Sequence, residues 1–200
     1  MHLMFRRLVL PLMVMGAVVL SVAPAAAQGI GIGIKGGPVF SKLDVDDDSE
    51  AFDNRTGWMA GVFFGGNRRG VVGVGAEVNV IKRTTRGPFD DDDTALYAID
   101  VPVYLRVNGG SRDLSGVNVY GIVGPAFDIN FKANVGDLDI KDDVEDFDLN
   151  LVVGGGVEIT RFIVEVRYMK GLRNINKDLS DSAPSVKTSS FAVLFGVRFN

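Results

Sequence analysis

Apolar and polar residues alternate with a period of two along most of the chain from residue 28 onward, the pattern of strands with two unlike faces. Ile30, Ile32 and Ile34 alternate with glycines and then Lys35. Trp58, Ala60, Val62 and Phe64 alternate with Met59, Gly61 and Phe63. Val72, Val74, Ala76, Val78 and Val80 oppose Gly73, Gly75, Glu77 and Asn79. Ile99, Val101, Val103, Leu105 and Val107 oppose Asp100, Pro102, Tyr104 and Arg106. In the second half, Val117 to Phe131 place Asn118, Tyr120, Asp128, Asn130 and Lys132 on the polar side. Phe147 to Ile159 set Asp148, Asn150 and Glu158 there, and Phe162 to Met169 set Glu165 and Arg167. Phe191 to Phe199 close the series with Arg198. These runs predict eight strands, and no sustained helical period interrupts them.

Most runs reach the roughly 9–11 residues that a tilted strand needs to cross a bilayer. A soluble sandwich also alternates, so the chemistry of the two faces has to decide. One face is β-branched or aromatic on every strand. The other mixes Gly and Asn with Lys35, Arg106, Lys132, Arg167 and Arg198 against Glu77, Asp100, Asp128, Asp148, Glu158 and Glu165. Eight strands enclose just enough room for side chains. Five bases and six acids facing inward would nearly neutralise one another, as a plugged polar lumen requires. The expected fold is all-β: an eight-stranded antiparallel up-and-down transmembrane β-barrel, apolar face to lipid. The rival, a soluble barrel, predicts release from the envelope without detergent.

The connections strengthen the membrane reading. With the N-terminus in the periplasm, the outer connections are residues 41–56, 84–95, 133–146 and 171–189, and the inner ones 66–70, 108–116 and 160–161. Long outer loops alternating with shorter inner turns is the asymmetry of such barrels. The four long connections hold 18 of the 25 acids, whereas the turns hold Arg68, Arg69, Arg112 and Arg161. The expected location is integral to the cell outer membrane, with long acidic loops extracellular and the short turns periplasmic.

The first 27 residues have another character. Arg6 and Arg7 precede the apolar stretch Leu8 to Leu20, and Ala25-Ala26-Ala27 offers a small-residue cleavage site before Gln28. The apolar run is shorter than the roughly 20 residues of a spanning helix. Residues 1–27 are therefore expected to be a cleaved signal peptide and 28–200 the barrel. Cleavage would leave 19 basic and 25 acidic residues, a poor match for nucleic acid. The chain has no Cys, and its single histidine, His2, lies in the leader. A mature chain without either lacks a Ser-His-Asp triad, a Cys nucleophile and a histidine zinc site. No enzyme activity, catalytic residue, cofactor or resident metal is expected.

Candidate motifs point the same way. Asp44, Asp46 and Asp48 fit the start of a calcium loop, but Ser49 stands where Gly is required and Arg55 where the bidentate Glu belongs. The acidic runs at 44–50, 90–93 and 137–148 read as solvated surface. Divalent cations bridging them to lipopolysaccharide would be a diffuse effect. Gly154-Gly155-Gly156 lacks the following Lys of a phosphate loop and suits strand coiling instead. Glu158 and Glu165 could form a general acid–base pair, but Arg167 and Arg198 share their face, which favours ion pairing. Trp58, Tyr97, Phe131, Phe147, Phe162, Tyr168, Phe191 and Phe199 read as interfacial girdles.

Several segments, taken in order, resemble the PorT-like outer-membrane β-barrel proteins. They are GIKGGPVFSKL from Gly33, GWMAGVFFG from Gly57, VPVYLRV at 101–107 and VYGIVGPAF at 119–127. GGGVEI from Gly154, VEVRYMKGLRNI from Val164 and SFAVLFGVRF from Ser190 complete the set. The resemblance implies an outer-membrane barrel without assigned catalytic residues; some members are linked to protein secretion in gliding bacteria, a role narrower than the family. Such barrels usually end in an aromatic residue, whereas Asn200 follows Phe199 here. The expected function is a structural, adhesive or interaction module. The alternatives are a narrow pore or transport-associated protein and, third, a secretion-system component. Expected partners are outer-membrane lipid and lipopolysaccharide, the barrel-assembly machinery during biogenesis, and an extracellular or cell-envelope protein.

Overall fold

The computed structural model describes residues 31–45, 56–86, 93–113, 115–135, 138–139, 147–172 and 186–199. The expected leader and most of the acidic runs lie outside these residues. Eight long strands form the wall: β1 (Gly31–Val45), β2 (Thr56–Gly65), β3 (Val72–Arg86), β4 (Asp93–Gly110), β5 (Val117–Val135), β7 (Phe147–Ile159), β8 (Phe162–Gly171) and β9 (Val186–Arg198). A two-residue strand, β6 (Leu138–Asp139), adds only to the end of β5. Each long strand pairs antiparallel with its sequence neighbour, and β1 pairs with β9 to close the ring. Closure leaves no long strand with an unpaired edge, the condition for a sheet to sit in hydrocarbon.

The alternation falls as the sequence predicts. Ile32, Ile34, Val62, Phe64, Val78 and Val164 point outward and are exposed, while Lys35, Glu77, Arg106, Glu158, Glu165 and Arg167 point inward and are buried. A barrel with this arrangement is inside out relative to a soluble protein, because its apolar surface is meant for lipid. The interior is not uniformly polar. Met59, Phe63, Ile81, Ala98, Ile122, Val152, Ile163, Met169 and Leu194 fill the space between the charged groups. Outside, Trp58, Phe131 and Tyr168 lie toward one rim and Phe162 and Phe199 toward the other, all exposed. Tyr97, Phe147 and Phe191 are half-buried, Tyr97 against Phe131 with ring centres 6.3 Å apart.

Two expectations need correction. Lys132 faces outward, because the β4–β5 register shifts between Tyr97 and Ala98: Tyr97 pairs with Lys132, but Ala98 pairs with Asn130. Phe131 is the extra residue of a β-bulge, which reverses the alternation beyond it. Lys132 Nζ consequently sits 5.6 Å from the centre of the Tyr97 ring, on the outer wall. Second, the strands run past the apolar band. β4 spans 18 residues and β5 19, so much of the expected connections 84–95, 108–116 and 133–146 is strand. The residues there lack the apolar alternation that marks a strand in the sequence. Arg68 does lie in a turn, but its side chain is buried, with only 2 % of it exposed.

Candidate functional site

The barrel's distinctive chemistry is in its lumen. Among the described residues, six basic and six acidic side chains are buried. The near balance expected from the sequence, five bases against six acids, becomes six against six: Lys132 leaves, and Arg68 and Arg83 enter. The charges sort into three levels along the barrel axis.

Nearest the short turns, Glu158 is the single carboxylate among three guanidinium groups of the described residues. Arg198 donates to it through Nε at 2.5 Å, Arg106 through Nη2 at 2.7 Å and Arg68 through Nη1 at 3.3 Å. The surplus positive charge finds other acceptors. Arg68 donates to the carbonyls of Thr160 at 2.7 Å and Gly116 at 2.5 Å, tying three separate turns together. Arg106 donates to Asn108 Oδ1 at 2.7 Å and lies 3.7 Å from the centre of the Tyr120 ring.

The middle level is neutral. Arg167, with no exposed surface, places its fork on Glu77 through two bonds of 3.0 and 2.9 Å and reaches Glu165 with Nε at 2.9 Å. Lys35 Nζ sits 2.6 Å from Glu77 and 3.0 Å from Glu165. Tyr104 and Tyr120 donate their hydroxyls to Glu77 and Glu165, each at 2.7 Å. Both tyrosines lie over a glycine on the neighbouring strand: Gly75 is the register partner of Tyr104, and Gly156 of Tyr120. A Cβ on Gly75 would stand 2.5 Å from the Tyr104 ring, and one on Gly156 would stand 2.7 Å from the Tyr120 ring. Glycine at these positions lets the rings lie flat against the wall and deliver their hydroxyls to the axis.

Toward the long connections the balance is reversed. Asp100, Asp128 and Asp148 are successive register partners on β4, β5 and β7, forming a row of carboxylates at one height. Arg83 Nη1 meets Asp128 at 2.7 Å. Asn79 donates to Asp100 at 2.9 Å, and Asn150 to Asp128 at 2.7 Å. The Oδ1 atoms of Asp100 and Asp128 have no hydrogen-bond partner among the described residues. Although adjacent in register, the three aspartates do not converge as a metal-holding group.

Glu158 and Glu165, the candidate acid–base pair, belong to different levels and are each engaged by cations. Sequence reasoning placed both correctly on the inner face. It missed Arg83, which lies beyond the apolar part of β3, and placed Arg68 in a turn without foreseeing that its side chain enters the lumen. The calcium-like run from Asp46 to Arg55 lies outside the described residues.

Solved structures are similar to the chain. Neisserial surface protein A is similar over 86 % of this chain and 100 % of its own, at 15 % identity and a TM-score of 0.52. Ail, the attachment invasion locus protein of Yersinia pestis, is similar over 86 % of this chain and 100 % of its own, at 17 % identity and a TM-score of 0.45. OprG from Pseudomonas aeruginosa is similar over 86 % of this chain and 97 % of its own, at 13 % identity and a TM-score of 0.40. No curated protein matches the chain. The model of the family described as outer membrane protein beta-barrel domain matches residues 26–177, and the chain belongs to that family of integral outer-membrane barrels.

Proposed function

We propose that this protein is a closed barrel that displays acidic segments outside the cell, as a structural or adhesive interaction module, and neither conducts solutes nor catalyses a reaction. The observation that carries the reading is the central level of the lumen, where Arg167, Lys35, Glu77 and Glu165 from β1, β3 and β8 meet across the axis. With Phe63 and Tyr104 packed beside them, these groups plug the space that a pore would keep wet. Under this reading, residues 1–27 are removed on export. The short turns and N-terminus face the periplasm, and the acid-rich connections face outward, where lipopolysaccharide and an envelope or extracellular protein are the partners within reach. The ordered segments from Gly33 to Phe199 support a place in the PorT-like branch of the family, without its secretion role.

The absence of Cys from the sequence gives a clean test. Three single-cysteine variants are labelled with a membrane-impermeant maleimide on intact cells: Asp91→Cys in a long connection, Arg112→Cys in a turn, and Ala192→Cys, which is fully buried inside the barrel. Labelling of Asp91→Cys alone is expected, with Ala192→Cys reacting only after boiling. Labelling of Ala192→Cys in the folded protein would show an open lumen, and labelling of Arg112→Cys in place of Asp91→Cys would invert the topology.

A further inference from the structure

The end of the barrel that carries the short turns is a single built surface. Arg68 holds it together from below, through the carbonyls of Gly116 in one turn and Thr160 in another, while its own turn supplies the third piece. Thr160 N–H donates to the Gly116 carbonyl at 3.4 Å, and Asn108 donates to the carbonyls of Asn67 and Gly70 at 2.8 and 3.0 Å. From this platform Arg69, Arg112 and Arg161 project outward and are exposed, with Asp113 as the acid beside them. Arg69 and Arg112 line one cleft of about 540 Å³ together with Ser115 and Asp113.

We propose that this face binds the phosphate groups of anionic phospholipids in the adjacent leaflet. The position of the arginines argues for lipid over a soluble partner. Arg161 directly precedes Phe162, the most exposed of the large apolar residues at 68 %, and Arg69 stands two residues before Val71. The turn carrying Arg112 leads into outward-facing Val117. Each guanidinium therefore starts where the lipid-facing band stops, at the depth of headgroups. A guanidinium fork matches two phosphate oxygens at once, and Ser115 adds a hydroxyl donor in the same cleft. The interior behind the face adds to the attraction, since Arg68, Arg106 and Arg198 there outnumber Glu158.

The test is native mass spectrometry of the folded protein from micelles doped with equal phosphatidylglycerol and phosphatidylcholine of matched chains. The wild type is expected to retain phosphatidylglycerol preferentially, and less so as salt rises. In the Arg69→Gln, Arg112→Gln, Arg161→Gln triple variant the preference should fall by about fivefold per arginine removed. Lys170→Gln, an equal charge loss per site near the opposite rim, should leave the preference intact; heat-dependent gel mobility confirms that each variant is folded. Equal retention of both lipids by the wild type, an undiminished preference in the triple variant, or an equal loss in Lys170→Gln would overturn the proposal.

Discussion

The two ends of the lumen solve opposite problems by different means. Among the described residues, three arginines surround one glutamate near the turns, and near the long connections Arg83 meets one of three aspartates in a row. The charges are of opposite sign, and so are the partners they need. Surplus guanidinium groups draw on turn carbonyls, an asparagine oxygen and the face of Tyr120. Carboxylates can accept only from donors. Leu149 N–H donates to Asp148 Oδ1 at 2.7 Å, and Asn79 and Asn150 supply two more donors, while Asp100 Oδ1 and Asp128 Oδ1 have none among the described residues. The two ends thus draw on different groups, carbonyls and a ring face at one and amide donors at the other.

Substitutions separate the two ends. The largest loss is expected for Glu158→Gln, which strips three buried cations of their shared counter-charge and should cost about 3–5 kcal/mol in urea unfolding from lipid vesicles. Arg83→Met should follow at about 3 kcal/mol, since it leaves the buried Asp128 carboxylate without its Arg83 partner. Gly75→Ala should cost roughly 1–3 kcal/mol by driving a methyl group into the Tyr104 ring, seen as reduced resistance of the folded gel band to heating. Asp100→Asn takes the opposite sign. Relieving a like-charge neighbour across the β4–β5 ladder should raise stability by up to about 1 kcal/mol in the same unfolding measurement. Loss of stability in Asp100→Asn as large as in Glu158→Gln would remove the contrast. Lys132→Gln, on the outer wall, should change stability by less than about 0.5 kcal/mol; a large loss there would return it to the interior.

Much of this arrangement is legible in the sequence, and the parts that are not have physical reasons. Alternation identifies the eight long strands because lipid on one side and a packed lumen on the other demand opposite residue types. It places Lys35, Glu77, Arg106, Glu158, Glu165, Arg167 and Arg198 on the correct face. It fails at Lys132 because one bulged residue reverses every side chain beyond it, and nothing in the residue types around Phe131 announces the insertion. It fails at Arg83 because the segment Lys82 to Arg86 is polar on both faces, although β3 continues through it. Arg68 is hidden for another reason: a long side chain in a turn can reach back into the lumen. The row of three aspartates depends on register across β4, β5 and β7, which a single chain's pattern does not reveal.

The most direct test of the closed lumen is conductance of the purified, folded protein in a planar bilayer. The charged central level predicts a silent membrane for the wild type at all voltages at which the bilayer itself holds. Stable, reproducible conductance steps from the wild type would contradict the account and make the protein a pore.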